Sequence, residues 1–198
     1  MREIKQKIYT FDELSEDAKL VAMDDYRECW MDDRGYAFRE MFLDELDYRG
    51  FSELEPYYSL CYCQGDGCCV EGKISIKEVL EKNKEIREQF SESEIRRLKY
   101  IEESMWYSLE IRHSGNYYNI HYMHIHSDVE NYDWIRDGEL LEEVMEKLGS
   151  VIEEYLGVLC KEMEEDGYSM IYDDEGLKEY LESEFEYYED GRIYQSKK

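Results

Sequence analysis

The sequence predicts an α+β protein built on an antiparallel sheet of about five strands. Three observations carry this. Two pairs of alternating segments, near 57–73 and 105–126, are each joined by turn residues. Stretches with apolar residues at spacings of three and four follow good helix N-caps. The C-terminal third is helical in its periodicity, and acidic. Strands joined as hairpins pair antiparallel, and helices packed in pairs around such a sheet make the class α+β.

In chain order, residues 2–9 (REIKQKIY) alternate Ile4 and Ile8 with polar residues and read as a strand. Ser15 then caps a helix whose first turn holds Glu16 and Asp17, where the helix dipole favours anions. Its apolar face is Ala18, Val21, Ala22 and Tyr26. A second helix fits 35–48, with Phe38, Phe42 and Leu46 four residues apart and Gly50 as the stop. Residues 57–63 (YYSLCYC) read as a strand and GCCVEGKIS as its return. Ser75 opens a helix with Ile76, Val79, Leu80 and Ile86 on one face, and Ser91 caps another with Ile95, Leu98 and Ile101. MWYSLEIRH at 105–113 and YYNIHYMHIH at 117–126 alternate around Ser114-Gly115-Asn116 as a second hairpin. From 138 to about 164, Leu141, Val144, Leu148, Val151, Ile152, Tyr155 and Leu159 keep helical spacing, with Gly149 and Gly157 as sites of a kink or of close packing. A last helix, about 174–188, sets Leu177, Tyr180, Leu181 and Phe185 on one side. No linker composition divides the chain, so a single domain over 1–198 is expected, with 128–190 as an acidic helical subregion.

Fifty acids face 24 bases, a formal charge of -26. Phosphates and anionic membrane are repelled by such a surface, so direct nucleic-acid and membrane binding are not expected, and basic surfaces or cations are. The charge is uneven: Asp128 to Asp190 holds 23 acids and four bases. Glu139, Glu142, Glu143, Glu146, Glu153 and Glu154 fall within one helical stretch of roughly 24 Å, about one carboxylate per 4 Å. A DNA strand shows a phosphate every roughly 3.4 Å. The final helix adds Asp173, Asp174, Glu175, Glu179, Glu182 and Glu186. A helical face of this density presents to Lys and Arg a field like that of a nucleic-acid backbone. The plain alternative is two solvated faces that serve solubility. Twenty tyrosines suit a wet protein interface, since each ring buries area while its hydroxyl stays hydrated. A homodimer is also compatible with the sequence.

The opening MREIKQKIYTFDEL has no leader-like apolar run, and no segment nears 18 consecutive apolar residues. Six cysteines in that context point to reduced thiols in a cytoplasm.

Two clusters invite chemistry. CYCQGDGCC at 61–69 offers four thiols, as zinc requires, but not at the spacing of the common knuckles. On strands, Cys61 and Cys63 share a face while Cys68 and Cys69 point oppositely, so buried free thiols beside a turn is the favoured reading. Gln64-Gly65-Asp66-Gly67 is neither a Walker loop nor an EF-hand; its glycines suit a tight reversal at positive φ. His121, His124 and His126, with His113 across the hairpin, offer two imidazoles on one strand face but no evident third ligand. No GxSxG or HExxH is present. No catalytic residue, metal or cofactor is expected, with a metal-dependent enzyme on the Cys hairpin or His strand as the third-ranked alternative.

Three stretches carry a resemblance. KIYTFDELSEDAKLVAMDDYRE, YSLCYCQGDG and FEYYEDGRIY resemble, respectively, the N-terminus, a Ser-x-x-Tyr-x-Gln-Gly-Asp-Gly hairpin and the closing segment of a group of small proteins encoded by phages and prophages. The resemblance implies an accessory protein of a mobile element in a host bacterial cytoplasm. It also implies that the cysteine positions around the turn are often Ser or another small residue. By analogy of class, acidic proteins of that setting act as counter-defence factors, of anti-CRISPR or antirestriction type. The leading expectation is therefore a non-enzymatic inhibitor that binds a basic nucleic-acid-binding host protein through the acidic helices. An interaction module working by shape, without mimicry, is the runner-up.

Overall fold

The computed structural model describes residues 6–115, 117–130, 132, 135 and 138–196. It is α+β, as the sequence predicts. Helix α1 is Glu16–Tyr48; strands β1 (Leu54–Ser59) and β2 (Gly67–Lys73) follow. Then come α2 (Ile76–Lys82), α3 (Lys84–Arg87), α4 (Glu92–Ser104), β3 (Tyr107–His113) and β4 (Met123–Val129). Helices α5 (Glu139–Ile171) and α6 (Asp174–Glu184) precede β5 (Phe185–Tyr187) and β6 (Ile193–Ser196). The chain divides into two compact units. One is Arg39–Tyr168; the other combines the described residues up to Phe38 with those from Ser169 onward.

In Arg39–Tyr168, four strands form an antiparallel meander in the order β1-β2-β3-β4, with Tyr57 opposite Cys69, Gly72 opposite Ile111 and Ile111 opposite Ile125. Many buried residues are those that sequence periodicity selects: Phe42 and Leu46 of α1, Val79 and Leu80 of α2, Leu98 and Ile101 of α4, and Leu148, Ile152 and Leu159 of α5; Val151 and Tyr155 are half-buried instead, and Met145 and Leu156 are buried in their place. Local chemistry starts the helices. Ser75 accepts from Glu78 N–H, and Ser91 makes a full capping box with Glu94. Asn83 divides α2 from α3 because its side chain caps the second helix, taking the Ile86 N–H at 3.0 Å. The expected pair of middle helices is therefore three.

The other unit has its own core, formed by Phe11, Leu14, Ala18, Ala22, Met23, Trp30, Leu177, Leu181 and Tyr187. Tyr187 is fully buried; its hydroxyl donates to Leu181 O at 2.9 Å and its ring lies 5.8 Å from that of Phe11. Strands β5 and β6 pair antiparallel here.

Several expectations are corrected. The two N-terminal helices are one. Ala18, Ala22, Tyr26, Trp30, Phe38, Phe42 and Leu46 continue a single row of four-residue steps. Arg34 fills the missing place by laying its guanidinium 4.0 Å from the Trp30 ring centroid. Ser15 caps the helix as expected, accepting from Ala18 N–H at 3.2 Å. The strand expected at 2–9 lies partly outside the described residues; Tyr9 makes one isolated antiparallel bridge with Tyr187. The first strand stops at Ser59 rather than 63, for a reason given below. The second hairpin loop runs over 114–122, because Asn119 accepts from His121 N–H and starts a 3-10 turn at Ile120–Tyr122; Asn116 lies outside the described residues. The last helix ends at Glu184, and the sheet of about five strands is replaced by a four-stranded and a two-stranded sheet. Helix α5 runs on to Ile171. Of its two central glycines, Gly149 marks close packing: a Cβ there would sit 2.7 Å from Ser127 Oγ of β4, whereas at Gly157 it would meet nothing within 4 Å.

Candidate functional site

The turn after β1 is organised around Asp66, which is only 9% exposed. Its Oδ2 accepts from the N–H of Cys61 at 2.7 Å, from the N–H of Cys63 at 2.9 Å and from Tyr168 OH at 2.7 Å. Its Oδ1 accepts from Ser59 Oγ at 2.9 Å and from the Cys63 thiol at 3.0 Å. Burial by itself raises a carboxyl pKa. Here the donated hydrogen bonds outweigh it and hold Asp66 well below the usual carboxylate range. These bonds bend the chain back at Ser59, so Cys61 and Cys63 lie beyond the sheet and are exposed. The strand-parity argument for that pair therefore does not apply.

Gly65 and Gly67 have φ of +94° and +150°, as the tight reversal requires. A Cβ on Gly65 would fall 1.9 Å from Cδ1 of Tyr117, so only glycine fits against that ring. Gln64 lies in the same turn. Tyr62 takes a positive φ of 54° and stacks on Tyr168 with centroids 4.5 Å apart.

Cys68, Cys69 and Cys160 are buried free thiols. Burial pushes Cys69 up to about 12, and Cys68 and Cys160 upward as well, so all three stay protonated. Cys63 is exposed, yet its bond to Asp66 also raises its pKa. His124 and His126 share the exposed face of β4, opposite Arg112 and Glu110, while His121 sits in the 3-10 turn. The His113 ring nitrogen Nε2 pairs with Tyr117 O. Among the described residues, no three His, Cys, Asp or Glu side chains group at metal-binding distance.

The acidic residues divide between the units. Glu139, Glu142, Glu143, Glu146, Glu153 and Glu154 belong to Arg39–Tyr168. At 3.6 residues per turn they fall within an arc of about 120° on α5. All but the half-buried Glu142 are exposed. Among the described residues none of the six has a hydrogen-bond or ion-pair partner for its carboxylate, and Lys147, in the same stretch of α5, is taken by Glu94 at 2.8 Å. The α6 acids lie in the other unit and several have local work. Asp173 caps the helix, accepting from Gly176 N–H at 2.9 Å, and Asp174 pairs with Arg27 at 2.6 Å. Glu186 lies in β5 and accepts from Gln195 at 2.9 Å. Glu175, Glu179 and Glu182 are exposed on the helix, and Lys178 stands 3.6 Å from Glu175.

Sequence reasoning missed the Asp66 hub. Its signal was present as Ser59, Asp66 and the backbone N–H groups between them, which is the pattern of an Asx-type turn; the Tyr168 donor, 102 residues away, carried none. Exposed aromatic rings flank the hub: Tyr57 stacks on Tyr118 at 6.1 Å, and Tyr118 on His113 at 5.6 Å.

No curated protein and no solved structure matches the chain. No described helix is long and apolar enough to cross a membrane. The family described as Domain of unknown function (DUF8835) matches residues 30–174, a span that takes in the Asp66 turn and the α5 carboxylate row. Since that span is most of the sequence, the chain belongs to the DUF8835 family.

Proposed function

We propose that this chain is a binding protein rather than a catalyst, and that it occupies the phosphate-binding surface of a basic, nucleic-acid-binding protein with the carboxylates of α5. The observation that carries the reading is the row Glu139 to Glu154: six carboxylates on one helix arc, without partners among the described residues. Elsewhere in the chain some exposed acids meet bases, as at Arg27–Asp174, Arg39–Glu55 and Lys82–Asp47, whereas along this row six in succession do not. A row left unneutralised on a rigid scaffold costs self-repulsion and suits an incoming cationic surface. The groups that would serve chemistry point the same way. The Asp66 carboxylate is saturated with donors, and the buried thiols are held protonated. The resemblance to phage and prophage accessory proteins makes a bacterial defence nuclease or CRISPR effector the first partner to try.

The test is binding to such a basic protein across a salt series, with the Glu142→Lys, Glu143→Lys, Glu146→Lys variant alongside. Affinity is expected to fall steeply with salt, and the variant to lose binding while unfolding at the same urea concentration. Affinity that is flat in salt, or a variant that binds as the wild type does, overturns the reading.

A further inference from the structure

Two grooves on another flank of α5 share Arg49 and Glu162 in their walls, with volumes of about 520 Å³ and 440 Å³. Helix α5 contributes Val151, Tyr155, Val158, Glu162 and Asp166, a ridge with steps of four and three residues. Across from it stand Ile86 and Gln89 in the first groove and Met41 of α1 in the second. Two properties set the trough apart. First, of its six carboxylates Glu45 alone is paired, and Glu85, Glu154, Glu162, Glu165 and Asp166 have no hydrogen-bond or ion-pair partner among the described residues. The cation in the walls, Arg49, is already paired, with Nε donating to Glu45 at 2.5 Å and Nη1 to the Tyr155 hydroxyl at 2.6 Å. Second, apolar groups stand open between these acids: Val158 is 56% exposed and Met41 37%.

We infer that this trough receives a basic amphipathic α-helix of the partner, its apolar residues seated along Val151 and Val158 and its Lys and Arg on the carboxylate rims. The inference rests on the reading that the partner is basic, and adds the shape of the partner's segment. A helix is favoured because the wall is itself a helical ridge, which interdigitates with side chains at spacings of three and four. An extended segment gains most by adding to a sheet edge, and neither groove is lined by a strand. The net charge rejects a nucleic-acid strand. From Val151 to Asp166 the trough follows α5 for roughly 22 Å, about four helical turns, so the occupant is about 15 residues long.

The test uses three labelled 16-residue peptides in fluorescence anisotropy with the full chain: an amphipathic helix of Leu at i, i+3, i+4, i+7 and i+11 among Lys and Arg; a scramble of the same composition; and oligolysine. The amphipathic peptide is expected to bind at least tenfold more tightly than the scramble. Val158→Lys and Glu162→Lys, both at exposed positions, are each expected to weaken it about tenfold while circular dichroism stays unchanged. Equal affinity for the two Leu-containing peptides, no binding of either, or variants that bind as the wild type does overturns the inference. Oligolysine separates the two readings. If its binding falls in the Glu142, Glu143, Glu146 triple variant but not in Val158→Lys, the α5 acid row stands even where the trough fails.

Discussion

Asp66 and the six carboxylates of α5 carry the same charge within the same unit, and the chain treats them oppositely. Asp66 is buried and receives five donors from Ser59, Cys61, Cys63 and Tyr168. Glu139, Glu142, Glu143, Glu146, Glu153 and Glu154 have no such partners among the described residues, and all but one are exposed. A buried carboxylate is tolerable only when hydrogen bonds replace its water, and once they do so it becomes a structural hub. A solvated carboxylate costs little by itself, but a row of them stores repulsion that a cation relieves. The charge total of the chain therefore says little until each carboxylate's surroundings are known.

The contrast is broken most sharply at Asp66. Asp66→Ala leaves five donors of the turn without their acceptor at once, and a loss of about 3 kcal/mol is expected from urea unfolding. Asp66→Asn keeps one acceptor and should lose less. The stabilisation is linked to pH with a definite sign. The folded pKa of Asp66 lies below its unfolded value, near 4, so the contribution is complete above that pH and is lost as pH falls toward the folded value. The gap in stability between wild type and Asp66→Asn should therefore be constant from neutrality to about pH 5 and shrink below about pH 4. A gap that widens in acid would mean that the hub is not ionic.

Next in size is Gly65→Ala. It places a methyl inside the Tyr117 ring contact at a φ of +94°, and about 2 kcal/mol of destabilisation is expected, again from urea midpoints. Smaller and opposite in sign is Gly157→Ala on α5. Open space and helical backbone there should give a gain of about 0.5–1 kcal/mol in thermal or urea unfolding. The same change at Gly149, against Ser127, should destabilise. The smallest effect on stability is expected from the Glu142, Glu143, Glu146 triple reversal, within about 0.5 kcal/mol, because surface charges with no partner support no folded contact. A loss of several kcal/mol there would show that the row is structural, and would remove the contrast.

How far the fold was legible follows the range of the forces involved. Ser75 and Ser91 announced their helices because a cap is a bond between residues three apart. The apolar spacing of α5 was legible for the same reason, and so was the density of its carboxylates. Helix α1 was read as two because its row passes through Arg34, whose guanidinium substitutes for an apolar side chain only once the Trp30 ring is in place beneath it. The strand YYSLCYC was read two turns of alternation too far. Its pattern continues beyond Ser59, but the Asp66 carboxylate takes the N–H groups that pairing would need. Strands β5 and β6 are three and four residues long, too short for periodicity to show.

By itself the sequence determined the α+β class, the helix starts at Ser15, Ser75 and Ser91, most of the core faces, the reversal at positive φ around Asp66 and the placing of negative charge along α5, because each depends on neighbours within a turn or a hairpin. Only the tertiary structure decided which acids are used up inside the protein and which remain open. It brought Tyr168 to Asp66 across 102 residues, seated Asp174 on Arg27 and left the α5 row without partners. A carboxylate's role is set by the groups within about 3 Å of it, and those come from parts of the chain that no local pattern can foresee.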